Sequence, residues 1–166
     1  MSIHPGRRLA LAITLGALLT LGATTQASAS KSPSFLLDGG DRWFTHDSGY
    51  PVVLGPAEIH LGKRTVSGDL AANIHPDDRT MPAAGECETA LAFVFVEGTR
   101  GADTWLSSAG QVCGLWLDAP NVVTHVFTGV ATFEESDVRR LEGQEGFLEI
   151  RLAVGGGAGV FVTTRS

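Results

Sequence analysis

The sequence predicts an all-β fold: a small antiparallel β-barrel, with a β-sandwich as the alternative, holding one disulfide and preceded by a signal peptide. Three observations predict it. Runs rich in Val, Ile, Thr and Phe recur from residue 51 to residue 164, punctuated by Gly, Pro and Asp clusters. Helical periodicity is confined to one short segment. Two cysteines, Cys87 and Cys113, stand symmetrically about a turn sequence.

The chain opens with Arg7-Arg8, an apolar run over 9–21, and Ala27-Ser28-Ala29. A charged start, a short apolar stretch and an A-x-A site mark a secretory signal peptide. The apolar run is shorter than the roughly 20 residues that a membrane span needs. Residues 1–29 are therefore expected to be removed, leaving 30–166 as a single secreted β domain of 137 residues. The flanks of Arg7-Arg8 fit general secretion better than twin-arginine export. Cleavage takes away two of the 12 basic residues and none of the 18 acidic ones, so the domain carries a net charge of −8. An acidic surface of this kind suits neither nucleic acid nor an anionic membrane.

The elements follow in order. Segments 51–54, 57–61 and 65–73 read as early strands, separated by turn residues such as Gly62-Lys63. Segment 89–96, T-A-L-A-F-V-F-V, is apolar on both faces, as a barrel wall or central strand would be. Segments 111–117 and 121–133 are next. In 146–152, Leu148, Ile150 and Leu152 share one face and Glu149 and Arg151 the other. A last strand covers 159–164. The one helix candidate is 134–141, where Ser136 would cap a single turn and turn Val138 and Leu141 inward. Seven to nine strands are expected in all.

The cysteines sharpen one hairpin. Residues opposite one another in an antiparallel pair have a constant index sum, which for Cys87 and Cys113 centres the turn on Arg100. The two then face each other across strands 87–97 and 104–117, unless a bulge near 108–110 shifts the register. In an oxidising compartment such an isolated pair forms a disulfide.

Nucleophile motifs are absent: there is no G-x-S-x-G elbow. Gly155-Gly156-Gly157-Ala158-Gly159 joins two strands with no helix behind it, so it lacks the amides of a phosphate cradle. No zinc spacing exists, and Asp77-Asp78 lacks the spaced oxygens of a calcium loop. No metal and no cofactor are expected. His46-Asp47 and His75-Pro76-Asp77-Asp78 read as ordinary loop residues. Glu86, Glu88 and Glu97 read as solvated strand ends.

The catalytic candidates are His125, His60 and Glu58. Glu58 and His60 share a strand face, and His125 lies on the same face as Val123, Phe127 and Phe133. A polar group on an apolar lumen wall is how a ligand site is composed. The ligand-binding candidates are Phe127, Phe133, Trp116 and Trp43. Trp43, Trp105 and Trp116, with Phe44 and Tyr50, offer faces for stacking a sugar or a flat ligand. Trp43-Phe44 sits in a polar segment, as a plug, lid or exposed contact would.

Residues Phe127-Thr128-Gly129-Val130-Ala131-Thr132-Phe133, then Leu141-Glu142-Gly143-Gln144-Glu145-Gly146-Phe147-Leu148-Glu149-Ile150, resemble the closing strands of allene-oxide-cyclase-like and dirigent-like barrels. The resemblance implies a small eight-stranded antiparallel barrel around an apolar ligand. Where that family has a G-T-G turn this chain has 134–140, and no catalytic residue of the family maps onto it. The expected function is a non-catalytic, extracellular protein that binds a small apolar ligand in its lumen or in a surface groove. The alternatives are an isomerase or cyclase acting in the lumen, and an interaction or inhibitor module for an extracellular protein, working through loops 41–51 and 76–86.

Overall fold

The computed structural model describes residues 35–116, 123–138 and 140–164. The signal peptide expected over residues 1–29 lies outside the described residues. Nine strands follow in order: β1 (Phe35–Gly39), β2 (Arg42–Thr45), β3 (Pro51–Leu61), β4 (Arg64–Pro76), β5 (Cys87–Gly98), β6 (Thr104–Trp116), β7 (Val123–Ser136), β8 (Glu145–Leu152) and β9 (Ala158–Thr164). All pairings between strands are antiparallel. The sheet order is β1-β9-β8-β7-β6-β5-β4-β3-β2, and β1 also pairs with β3, which closes the barrel. Closure decides between the two expected architectures in favour of the barrel.

β1 and β2 keep a single register along β3: Gly39 lies opposite Ala57 and Arg42 opposite Leu54. They are one strand broken at Gly40-Asp41. Gly40 has φ +87 and donates its N–H to the Pro56 carbonyl at 3.0 Å; Asp41 N–H reaches the Leu54 carbonyl at 3.0 Å. A Cβ at Gly55 would lie 2.5 Å from Asp41 N, so only glycine lets the break sit so close to β3. Here 51–54 and 57–61, read separately from sequence, join into one strand straight through Gly55-Pro56. Pro56 has no N–H to offer, but its carbonyl is used by Gly40, so the ladder loses little.

The lumen is a core. Ala90, Ala92, Val94 and Val96 of β5 point inward and are buried, while Leu91, Phe93 and Phe95 point outward. Leu148, Ile150 and Leu152 of β8 are fully buried, as their alternation predicts. An eight-stranded barrel is just wide enough for side chains to fill it. Phe35 of β1 and Phe133 of β7, on strands that do not pair, meet edge to face at 4.8 Å between ring centroids. Gly110 and Gly129 lie opposite each other in β6 and β7. A Cβ on Gly129 would sit 3.1 Å from the tip of the Phe127 ring, so Gly129 leaves room for that ring, while a Cβ on Gly110 would press on the Thr128 carbonyl oxygen at 2.1 Å.

Cys87 and Cys113 are bonded (S–S 2.04 Å) and directly opposite, in the register their index sum requires. No bulge disturbs the register that the cysteines set. The β5–β6 ladder is regular through 108–110, and the irregularity falls between Trp105 and Leu106 in the β6–β7 pairing.

Among the described residues of 134–141 no helix forms. β7 runs on to Ser136, and the segment beyond it is a turn pinned back onto β7. Gly143 N–H binds the Phe133 carbonyl at 2.8 Å and Phe133 N–H binds the Gln144 carbonyl at 3.0 Å. These two bonds to β7 compete with helical ones. The Ser136 hydroxyl still accepts the Val138 N–H (3.1 Å), and Val138 and Leu141 are buried in the barrel mouth.

The β5–β6 turn passes through Arg100 at φ 66 and Gly101 at φ 71. A left-handed conformation costs a residue with a Cβ about 1–2 kcal/mol, whereas glycine adopts it freely. Arg100→Gly is expected to raise the melting temperature by a few degrees, glycine's larger unfolded-state entropy offsetting part of the gain. Arg100→Val, β-branched at positive φ, is expected to lower it. Equal melting temperatures for the two variants would show that the turn relaxes freely.

Candidate functional site

The barrel has two ends. Turns at 62–63, 99–103 and 137–144 form one, the Lys63 end. Segments 46–50, 77–86 and 153–157 form the other, the Trp43 end. The strand alternation and these ends locate every candidate.

Glu58 and His60 are on the outer wall near the Lys63 end, one strand position removed from buried Ala57 and Ile59. His60 Nε2 is 3.4 Å from Glu58 Oε2, and its Nδ1 is 3.1 Å from Thr65 Oγ1. His125 shares the inward face of β7 with Phe127, at the Trp43 end, and its Nε2 lies 3.0 Å from the Pro82 carbonyl. It therefore donates a proton to that carbonyl. Glu58 and His60 thus stand together on the outer wall, while His125 stands at the opposite end on the inward face, and the fold does not bring it to them.

Phe127 and Phe133 are fully buried among the core side chains. Trp43 closes the Trp43 end: its Nε1–H donates to the Ala153 carbonyl (2.7 Å), and its own N–H donates to the Gly156 carbonyl (2.7 Å). Of the roles considered for it, the plug fits this bonding. Trp116 ends β6 opposite Val123, and its side chain is not among those described. Loop 77–86 is laid against β6. Ala84 bridges Gly114, the Gly85 N–H binds the Gly114 carbonyl at 2.7 Å, and the Gly114 N–H binds the Glu86 carbonyl at 2.9 Å.

Sequence reasoning missed the feature that dominates the outer wall. Tyr50, His75 of β4, Phe93 and Phe95 of β5, and Trp105 of β6 form one aromatic stripe. Ring centroids are 4.0 Å apart for Tyr50–His75, 5.6 Å for His75–Phe93, 6.0 Å for Phe93–Trp105 and 6.3 Å for Phe95–Trp105. Trp105 is 41% exposed, and Leu91, opposite His75 in the ladder, is 47% exposed. Burial lowers the His75 pKa below its ordinary value, so at neutral pH its ring is uncharged and stacks as an aromatic. The stripe is bordered by polar pairs: the Ser107 hydroxyl donates to Glu134 and the Thr89 hydroxyl to Asp77.

A signal for it was present. Of the two apolar faces of 89–96, one is small (Ala90, Ala92, Val94, Val96) and the other large (Leu91, Phe93, Phe95). A narrow lumen takes the small face, which sends the rings outward.

Among the described residues, no three His, Cys, Asp or Glu side chains gather as a metal shell. The chain matches no known protein family, no curated protein and no solved structure.

Proposed function

We propose that this protein is an extracellular, non-catalytic binding protein, and that its outer aromatic stripe holds a small ligand by a flat apolar face. The observation that carries this reading is the unbroken ring sequence from Tyr50 to Trp105, with Trp105 exposed at its end. A soluble protein gains nothing for its own fold by leaving a contiguous apolar patch in water, and such patches mark binding surfaces. The packed lumen supports placing the ligand on the wall.

The stripe crosses from the start of β3 to β6, three strand spacings or about 14 Å, long enough for a ligand of a few rings. The rings supply stacking area at low entropic cost, because each has only two rotatable bonds. The hydroxyl and carboxylate pairs along the border supply orientation. A pyranose with an apolar face, or a planar aromatic, fits this composition.

The test is calorimetric titration of the purified protein with cellohexaose, chitohexaose and the planar dye Nile red. At least one probe is expected to bind. Trp105→Ala should weaken that binding about tenfold, the worth of one well-stacked ring. No binding by any probe, or binding that Trp105→Ala leaves unchanged, would overturn the proposal.

A further inference from the structure

We propose that the Lys63 end carries a second site, built for a phosphate or sulfate ester, between the β3–β4 turn and the β5–β6 turn. A depression of about 590 Å³ lies there, and Arg64, Arg100, Thr65, Ser67 and Thr99 line it. The Thr99 N–H donates to the Ser67 carbonyl at 2.9 Å, which ties the β5–β6 turn to β4, the strand that carries Arg64, Thr65 and Ser67.

The charge at this place runs against the charge of the chain. Acidic residues outnumber basic ones by 18 to 12, and Asp103, Asp137 and Glu142 stand in the turns of this end, yet Arg64 and Arg100 line the depression and no described carboxylate does. The ion pairs of the described residues are His60–Glu58 and Arg151–Glu149, and neither Arg64 nor Arg100 takes part in one. Asp103, in the same turn as Arg100, spends a carboxylate oxygen on the Gly98 N–H (3.1 Å). Two guanidinium groups without carboxylate partners are thus left for a ligand. Their planar forks of donors match the oxygens of a tetrahedral oxyanion.

One further observation points the same way. Arg100 sits at φ 66 in a turn where glycine would be free of strain, and backbone strain of this kind collects where a side chain is needed. The depression is much larger than a bare oxyanion, so the ligand class is an ester whose organic part fills the remainder.

The test titrates the purified protein calorimetrically, at low ionic strength, with glucose 6-phosphate, glucose 6-sulfate, inorganic phosphate and glucose. Both esters are expected to bind at least tenfold more tightly than inorganic phosphate, and glucose not at all. Arg64→Gln and Arg100→Gln should each weaken ester binding at least fivefold with unchanged melting temperatures. Arg100→Gly should weaken it as much while melting higher. Trp105→Ala should leave ester binding intact, which separates this site from the aromatic stripe. No ester binding, binding of free phosphate as tight as that of its ester, or binding lost in Trp105→Ala and kept in Arg64→Gln would overturn it.

Discussion

Phe133→Ala is expected to destabilise the barrel by about 3–5 kcal/mol, the range for deleting a fully buried aromatic ring. Phe133 is completely buried and meets Phe35 edge to face at 4.8 Å, a contact that crosses the lumen between strands that do not pair. Removing the ring takes its apolar area from the core and leaves Phe35 facing a void. The surrounding walls are tied by ladder hydrogen bonds on both sides, so they cannot collapse into it. Urea denaturation reads the loss directly. Phe147→Ala is the matched control: the same residue type, 46% exposed on the outer wall of β8, is expected to cost under about 1 kcal/mol. The void should also accept benzene, which would then raise the melting temperature of Phe133→Ala and not that of the native protein. A loss below about 1 kcal/mol for Phe133→Ala would mean that the lumen is not packed as described.

Breaking the Cys87–Cys113 bond is expected to cost about 3–4 kcal/mol in the chain-entropy account. The bond closes a sequence separation of 26 and joins directly opposed residues near the Trp43 end of the β5–β6 pair. Cys113 immediately precedes Gly114, which anchors loop 77–86 through two backbone hydrogen bonds. Loss of the bond should therefore show first as faster amide exchange at Gly85 and Gly114, before global unfolding. Cys87 is exposed on the outer wall, so a dithiol reductant should reproduce in the native protein what Cys87→Ser with Cys113→Ser does. Denaturation midpoints that do not move on reduction would show that the hairpin is held by its ladder alone.

What could be read from the chain depended on whether a signal was local. The cysteine register, the wall character of 89–96 and the alternation of 146–152 are properties of one strand or one hairpin. All three appear in the barrel as read. β1 and β2 escaped because each is at most five residues long and their polar break, Gly40-Asp41, reads as loop. They are strands only because β3 offers one continuous partner to both. The helix expected over 134–141 had its cap and its buried Val138 and Leu141, but the two bonds from Phe133 to residues 143 and 144 were not visible from sequence. The same limit governs the sites. His125, His60 and Glu58 were candidates for one lumen site when their strands were read alone, and the closed sheet leaves His60 and Glu58 on the outer wall at one end and His125 inside at the other. The aromatic stripe draws on three strands and on Tyr50 just before β3, and only the register between the strands turns five separate rings into a surface.

The seam between β1 and β9 gives the molecule an order of assembly. Leu36 pairs with Thr163, while every other neighbouring pair in the barrel joins strands that follow one another along the chain once β1 and β2 are counted as one. Those hairpins close short loops and form early; the seam closes nearly the whole chain and forms late. During synthesis the barrel cannot shut until its last strand has emerged. Until then the molecule is an open, twisted sheet with two unpaired edges, and its vulnerability to wrong partners is set by how long the final residues take to arrive.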